Sequence, residues 1–171
     1  MSTQSKALII MGIDPGSKIT GYGIISYKDH RYRAVDFGVI KPKGKNFSNK
    51  QLEIFSDLNI LIETHKPSAC AVESQYVHKN PKGAMTLGMI RGLAILVAAK
   101  NSVPIFQYAP SRVKASVCRH GHASKDNVKK MISLLLSLDE SLLTEDSADA
   151  LAIAICHAHM SMNSLEPASP L

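Results

Sequence analysis

The first part of the chain alternates short apolar runs with turn residues, a pattern that predicts three strands in succession. Residues 7–13 are continuously apolar, which is typical of a central strand buried on both faces. This run ends at Asp14, a Pro-Gly pair follows, and apolar residues resume over residues 21–27, so the spacing predicts a tight hairpin. Residues 32–40 are a third strand candidate.

Helical spacing of apolar residues begins after the third predicted strand. Leu52, Phe55, Leu58 and Ile62 predict an amphipathic helix over residues 47–64. The later pattern predicts a strand at 68–73, a helix at 84–100, a strand at 103–108, a short helix from Pro110, a helix at 125–138 capped by Ser124, and a last helix from about 145 to about 159. The buried side of the helix at 125–138 is expected to carry Leu134, Leu135 and Leu138. Together these elements predict an α/β fold, a mixed five-stranded sheet with helices on both faces.

Length and composition are typical of a single globular domain. The chain has 171 residues, and we expect one domain over residues 1–163 with a disordered tail at 164–171. Neither an apolar run of about 18 residues nor a charged-then-apolar leader is present, so the sequence predicts a cytoplasmic protein without a membrane segment. The three cysteines are widely spaced and are expected to be reduced core residues.

Charge is distributed unevenly along the chain. Residues 1–130 contain all 20 Lys and Arg and only 8 acids, a net charge of +12, whereas residues 131–171 carry −6. A basic surface of this kind favours a polyanionic partner, and the alternative is a solvated surface that maintains solubility.

Four carboxylates stand out from the pattern. Asp14 and Glu73 each close a short apolar run, and if the two strands are parallel neighbours, both side chains emerge at one edge of the sheet. Asp146 and Asp149 are three residues apart on one turn of the last predicted helix. Four acids without adjacent basic residues predict an oxygen-rich site for Mg²⁺ or Mn²⁺. Two such ions, about 4 Å apart, can catalyse phosphoryl transfer.

Each of these acids also has a structural alternative except Glu73. Asp146 and Asp149 are favoured at a helix N-terminus by the helix dipole and by capping, and Asp14 before Pro-Gly is a common turn residue. Glu73 has no comparable local role. The histidines lack zinc-ligand spacing and are interpreted as structural or phosphate-contacting: His120, His122, His157 and His159.

Four motifs in order resemble the RuvC family of Holliday-junction resolvases. They are "GIDPGSKITGYGII", "AVESQYVHKNPKGAMTLGMIRGLAI", "YAPSRVKASVCRHGHASKDNV" and "DSADALAIAICHAH". The resemblance implies a ribonuclease H-like fold, a homodimer, and Mg²⁺-dependent cleavage of two strands of like polarity at a four-way DNA junction, in homologous recombination and DNA repair. It also implies branch-migration motor proteins as partners.

The resemblance assigns roles to particular residues. It implies that the catalytic residues and the ligands of two Mg²⁺ ions, with Mn²⁺ as a substitute, are Asp14, Glu73, Asp146 and Asp149. It implies DNA contacts from Tyr76, Lys79, Arg112, Lys114 and Lys125. Among these, the two lysines of "SRVKAS" and "ASKDNV" hold scissile phosphates, and Tyr76 stacks on bases, where the family usually carries Phe. Ser147 departs from the family's usual Ala.

The sequence is also compatible with other interpretations. Gly88 and Gly92 lie on one helix face, where they fit either a dimer contact or packing against the sheet. A sugar-kinase or actin-like ATPase also begins with a strand, an Asp and a Gly-containing hairpin, but needs two such domains. A non-catalytic junction-binding module, or a nuclease of the same fold acting on RNA or an RNA–DNA hybrid, would share the basic surface.

Overall fold

A computed structural model of the protein describes residues 7–74, 81–162 and 170–171. The strands are β1 (Leu8–Asp14), β2 (Thr20–Lys28), β3 (Arg31–Ile40), β4 (Ala69–Glu73) and β5 (Ile105–Tyr108). The helices are α1 (Phe47–His65), α2 (Pro81–Lys100), α3 (Pro110–Cys118), α4 (Lys125–Leu136) and α5 (Glu145–Met162), with a 3₁₀ turn at Glu140–Leu142.

The strands form one mixed sheet in the order β3-β2-β1-β4-β5. β1 pairs antiparallel with β2 and parallel with β4, and β5 continues the parallel side. The continuous apolar sequence of β1 is explained by this central place, because both faces of the strand are covered. The mixed five-stranded sheet predicted from the sequence is therefore confirmed.

Two apolar layers cover the sheet. On one face, α5 lies against β1 and β2, with α3 and α4 outside it. On the other face, α1 and α2 bury Leu58, Ile62, Ala94 and Val97 against the sheet. Helices on both faces are thus also confirmed, and α5 is buried along most of its length because it lies between the sheet and two further helices.

Glycines on β1 and β2 allow α5 to approach the sheet at backbone distance. A Cβ added at Gly12 would lie 2.0 Å from the carbonyl oxygen of Ala150, and one at Gly21 would lie 2.1 Å from that of Asp146. Any other residue at these positions would force the helix away from the strands. The start of α5 is consequently held close to the end of β1.

Two helix faces differ from the sequence prediction. Leu52 is 64% exposed, because the buried stripe of α1 is Ile54, Leu58 and Ile62, and a residue two positions from Ile54 points about 200° away. In α4, Leu134 is 73% exposed and Leu135 is also exposed. The side of α4 that packs on the core instead carries Val128, Ile132 and Leu136, with Leu138 half-buried beyond the helix.

α2 is long and apolar enough to cross a membrane by length and composition alone. It nevertheless packs Ile90, Ala94, Val97 and Ala98 into the core, which is the role of a helix in a globular domain. All three cysteines are free; Cys70 and Cys156 are buried and Cys118 is half-buried. The tail predicted at 164–171 lies mostly outside the described residues, and its last residue, Leu171, donates its N–H to the Ile105 carbonyl at 2.9 Å.

Candidate active site

Asp14 and Glu73 end two adjacent parallel strands. Ile13 pairs with Val72 in the register of β1 and β4, so the next residue of each strand is a carboxylate at the same edge of the sheet. This is the arrangement that the sequence predicts. Both side chains are carried by strands with buried apolar neighbours, and their backbone positions are therefore rigid.

The first turn of α5 brings the other two acids to this edge. Thr144 and Ser147 cap the helix reciprocally: the Thr144 N–H donates to Ser147 Oγ at 3.0 Å, and the Ser147 N–H donates to Thr144 Oγ1 at 3.1 Å. Ser147 is buried, so its hydroxyl needs this partner. The departure from Ala at this position thus stabilises the turn that carries Asp146 and Asp149.

A small cavity of about 210 Å³ lies where these elements meet. It is lined by Asp14, Glu73, Pro110, Val113, Lys114, Lys125, Val128 and Asp149. Three of the four predicted acids and two predicted phosphate-binding lysines therefore share one cavity. Asp146 is not part of its lining, but the charge of Asp146 acts on Asp14.

The environment of Asp14 strongly disfavours its ionised form. Burial, together with the negative charges of Asp149, Glu73 and Asp146, raises the pKa of Asp14 to about 7 from 3.8. Lys125 opposes this effect without cancelling it. The cavity is accordingly an anionic site that lacks sufficient positive charge of its own.

The same causes act on the other two acids of the cavity. Burial raises the pKa of Glu73, with a further increase from Asp149, while Lys114 and Lys125 lower it. Burial also raises the pKa of Asp149 against the influence of Lys125. These perturbed carboxylates mark the cavity as a functional site.

Lys125 contacts the acids directly. Its Nζ lies 3.5 Å from Asp149 Oδ2 and 3.5 Å from Glu145 Oε2. Burial alone would lower the pKa of Lys125, but Asp149 and Glu145 raise it overall. Glu145 is not among the site residues predicted from the sequence, although it is a second carboxylate four residues before Asp149 on the same helix face.

Comparison with known proteins identifies the family. The family model for the crossover junction endodeoxyribonuclease RuvC matches residues 10–157. The chain belongs to the RuvC family. A crossover junction endodeoxyribonuclease RuvC of Protochlamydia amoebophila is 47% identical over 157 residues, 91% of this chain and 94% of the relative.

Solved RuvC structures share the fold. A Thermus thermophilus RuvC structure has a TM-score of 0.84 at 29% identity and covers 96% of this chain and 100% of the other. A second structure, T. thermophilus RuvC in complex with Holliday junction substrate, has a TM-score of 0.85 at 26% identity, again over 96% of this chain and 100% of the other. The predicted ribonuclease H-like fold is thereby confirmed.

The RuvC resemblance predicts DNA contacts from three further side chains besides the two lysines of the cavity. Tyr76 and Lys79 lie outside the described residues. Arg112 does not line the cavity, and its Nη1 lies 3.5 Å from Sδ of Met160 on α5. The DNA contacts of these three side chains stay predictions.

The histidines have separate environments. His157 is buried, its Nδ1 lies 2.7 Å from the Tyr108 hydroxyl, and burial lowers its pKa to about 4. His159 packs edge-on against Tyr32, and burial lowers its pKa as well. Neither of these two histidines lines the acid cavity, and His120 and His122 are exposed.

The donor set of the RuvC-family cavity suits a hard divalent cation. Carboxylate oxygens are the ligands that Mg²⁺ prefers, and a bound cation would relieve the repulsion that raises the pKa of Asp14. Over residues 7–74, 81–162 and 170–171, no three Asp, Glu, His or Cys side chains meet closely enough to enclose an ion by themselves. The acids are therefore neighbours, with Lys125 against Asp149, and not a closed ligand cage.

Proposed function

We propose that this protein resolves four-way (Holliday) DNA junctions by divalent-metal-dependent hydrolysis of two strands of like polarity, in homologous recombination and DNA repair. The observation that carries the proposal is the meeting of Asp14, Glu73 and Asp149 with two lysines in one cavity of a RuvC-family chain. The T. thermophilus relative in complex with a Holliday junction substrate supports the choice of substrate. A cytoplasmic location is part of the same proposal.

In this proposal Asp14, Glu73, Asp146 and Asp149 hold two Mg²⁺ ions, with Mn²⁺ as a substitute. When bound, the ions supply Lewis-acid stabilisation of the charge that develops on the phosphate oxygens. The strands β1 and β4 and the capped start of α5 hold the carboxylates in place before substrate arrives. Rigid secondary structure positions ligands more accurately than a loop does.

Lys114 and Lys125 bring positive charge into the same cavity. Without these lysines the carboxylates of the cavity would repel an incoming phosphate. A lysine ammonium is a point charge on a flexible stem, which suits it to contact the phosphate as it enters. Hydrolysis adds water across one P–O bond, leaving a phosphate and a hydroxyl end. Tyr76, Lys79 and Arg112 are proposed as further DNA contacts.

An apolar stripe on α2 supports the proposed homodimer. Met85 and Leu96 are 65% and 56% exposed, and Met89 is also exposed. None of the residues that the structure describes places an atom within 4 Å of a Cβ added at Gly88 or Gly92. Of the two alternatives for these glycines, packing against the sheet of the same chain lacks support. A two-fold axis through such a stripe would present two active sites to a two-fold junction. Branch-migration motor proteins are proposed as partners from the family resemblance alone.

The test is cleavage of a synthetic four-way junction beside a duplex and an RNA–DNA hybrid, with Mg²⁺ and with chelator. We expect paired, symmetric nicks in the junction only, dependent on Mg²⁺ and abolished in Asp14→Asn, which should still bind the junction. Asp57→Asn, the same chemical change on the exposed side of α1, is the matched control and should cleave normally. Junction binding without metal-dependent cleavage would refute the enzymatic role, and cleavage of the hybrid instead would refute the substrate.

A further inference from the structure

Lys125 is shared by two carboxylates of α5 that differ in exposure. Its Nζ is equidistant, at 3.5 Å, from Asp149 and Glu145. The side chain of Asp149 is 24% exposed and lines the cavity, whereas that of Glu145 is 57% exposed and does not line it. Because the two acids are four residues apart, they stand one turn from each other on one helix face. The ammonium therefore lies between the cavity and the solvent.

Helix electrostatics do not account for the position of this lysine. Lys125 is the first residue of α4, where a positive charge opposes the helix dipole. Glu145 is in the first turn of α5, where a negative charge is favourable, but that explains an acid at this position and not its contact with α4. The carboxylates opposite Lys125 are what hold its side chain across the two helix ends.

A divalent cation and Lys125 compete for Asp149. Both are positive, and both need the same carboxylate if Asp149 is a metal ligand, as the proposed function requires. The ammonium, which contacts Asp149 through Oδ2, is repelled by a bound cation. Cation binding therefore favours a position of the ammonium farther from Asp149, and without a second acceptor the ammonium would be released into solvent. Glu145 already contacts the ammonium from the outer side.

From this geometry, and resting on the proposed function, we infer that Glu145 is a positioning residue for Lys125. It accepts the ammonium when Asp149 becomes a metal ligand, and it keeps Lys125 at the mouth of the cavity, where the scissile phosphate enters. Glu145 itself binds neither metal nor DNA in this scheme. Its effect on the metal operates only through Lys125.

The test is Mn²⁺ binding to the full-length protein without DNA, measured by titration calorimetry. We expect Glu145→Gln to weaken Mn²⁺ binding about three- to tenfold, between the effect of losing an exposed ion pair and that of losing a residue that orients a metal ligand. Glu145→Asp should restore part of the loss. Glu140→Gln, which removes an exposed carboxylate from the preceding 3₁₀ turn, should bind like the wild type.

A double-mutant cycle separates positioning from simple charge. Lys125→Met removes the competing cation, and in that background Glu145→Gln should have no further effect on Mn²⁺ binding. In cleavage assays, Glu145→Gln should raise the Mg²⁺ concentration for half-maximal rate.

Three results would overturn the inference. If Glu145→Gln weakens Mn²⁺ binding equally with and without Lys125, Glu145 acts only through its own negative charge and does not position Lys125. Unchanged Mn²⁺ binding in Glu145→Gln, with normal junction cleavage by the wild type, would refute this role and leave the proposed function intact. A wild type that neither binds Mn²⁺ nor cleaves junctions would refute both.

Discussion

Replacing Asp14 by Asn should stabilise the folded protein in the absence of metal. The pKa of Asp14 is raised from 3.8 to about 7, so the ionised side chain is tolerated better in the unfolded chain than in the folded one. The stability that comes from a protonated Asp14 is fully present below pH 3.8 and is lost as the pH rises through 7. A shift of this size corresponds to at most about 4 kcal/mol above pH 7. Asp14→Asn has nearly the same shape without the charge and should recover about 1–4 kcal/mol of unfolding free energy at pH 8.

The assay is urea denaturation of the wild type and Asp14→Asn in chelator at pH 8 and pH 5. Titrating groups that do not interact with Asp14 are common to both proteins and cancel in the difference. Because Asp14 is largely protonated at pH 5 in the folded protein, the gain should fall to less than half of its pH 8 value. The exposed control Asp57→Asn should change stability by less than about 0.5 kcal/mol. An Asp14→Asn protein no more stable than the wild type at pH 8, or a gain equally large at pH 5, would refute the reasoning.

Three further outcomes follow from other parts of the molecule. Gly21→Ala places a methyl group about 2 Å from the Asp146 carbonyl oxygen, so we expect the free energy of unfolding in urea denaturation to fall by about 1–3 kcal/mol and junction cleavage to be weak. Met89→Glu puts a charge on the exposed apolar stripe of α2 and should convert the proposed dimer into a monomer, as measured by light scattering. The nicks in the junction should then no longer be paired. An unchanged dimer mass would exclude this stripe as the interface. Burial lowers the pKa of His157 from 6.5 to about 4, so the stability that a neutral His157 provides above pH 6.5 is lost as the pH falls towards 4, by at most about 3 kcal/mol. His157→Phe should therefore lose less unfolding free energy than the wild type over that pH range. The same dependence of stability on acid pH in both proteins would contradict this cause.

The acid site is readable from the sequence because its positions follow from local pattern and simple topology. Two apolar runs end in carboxylates, and adjacent parallel strands bring such ends together; the structure places Asp14 and Glu73 in this way. The spacing of Asp146 and Asp149 on one helix turn needs no tertiary information. Ser124 as the cap of α4 is likewise a local signal, and its Oγ accepts from the Asn127 N–H.

Features that depend on which way a helix faces were not predictable in the same way. Leu134 and Leu135 are apolar, yet the core touches the side of α4 that carries Val128 and Ile132. Hydrophobicity selects a stripe only when polar residues mark the opposite face, and α4 has leucines on both. The contact of Lys125 with Glu145 joins the ends of two helices, and no sequence spacing encodes that distance.

Backbone contact with the sheet explains how repelling acids can remain together. Gly12 and Gly21 let α5 lie directly on β1 and β2, and the apolar length of that helix is buried beyond the first turn. Packing of the apolar part of α5 on the sheet therefore fixes the positions of Asp146 and Asp149, and this packing involves no charged groups. The free energy that holds the cavity in shape comes from this packing, while the cavity itself opposes folding through the repulsion at Asp14. A cation that binds in the cavity would reduce this repulsion. Removing the charge of Asp14 and adding a divalent cation to the wild type should therefore each stabilise the folded protein.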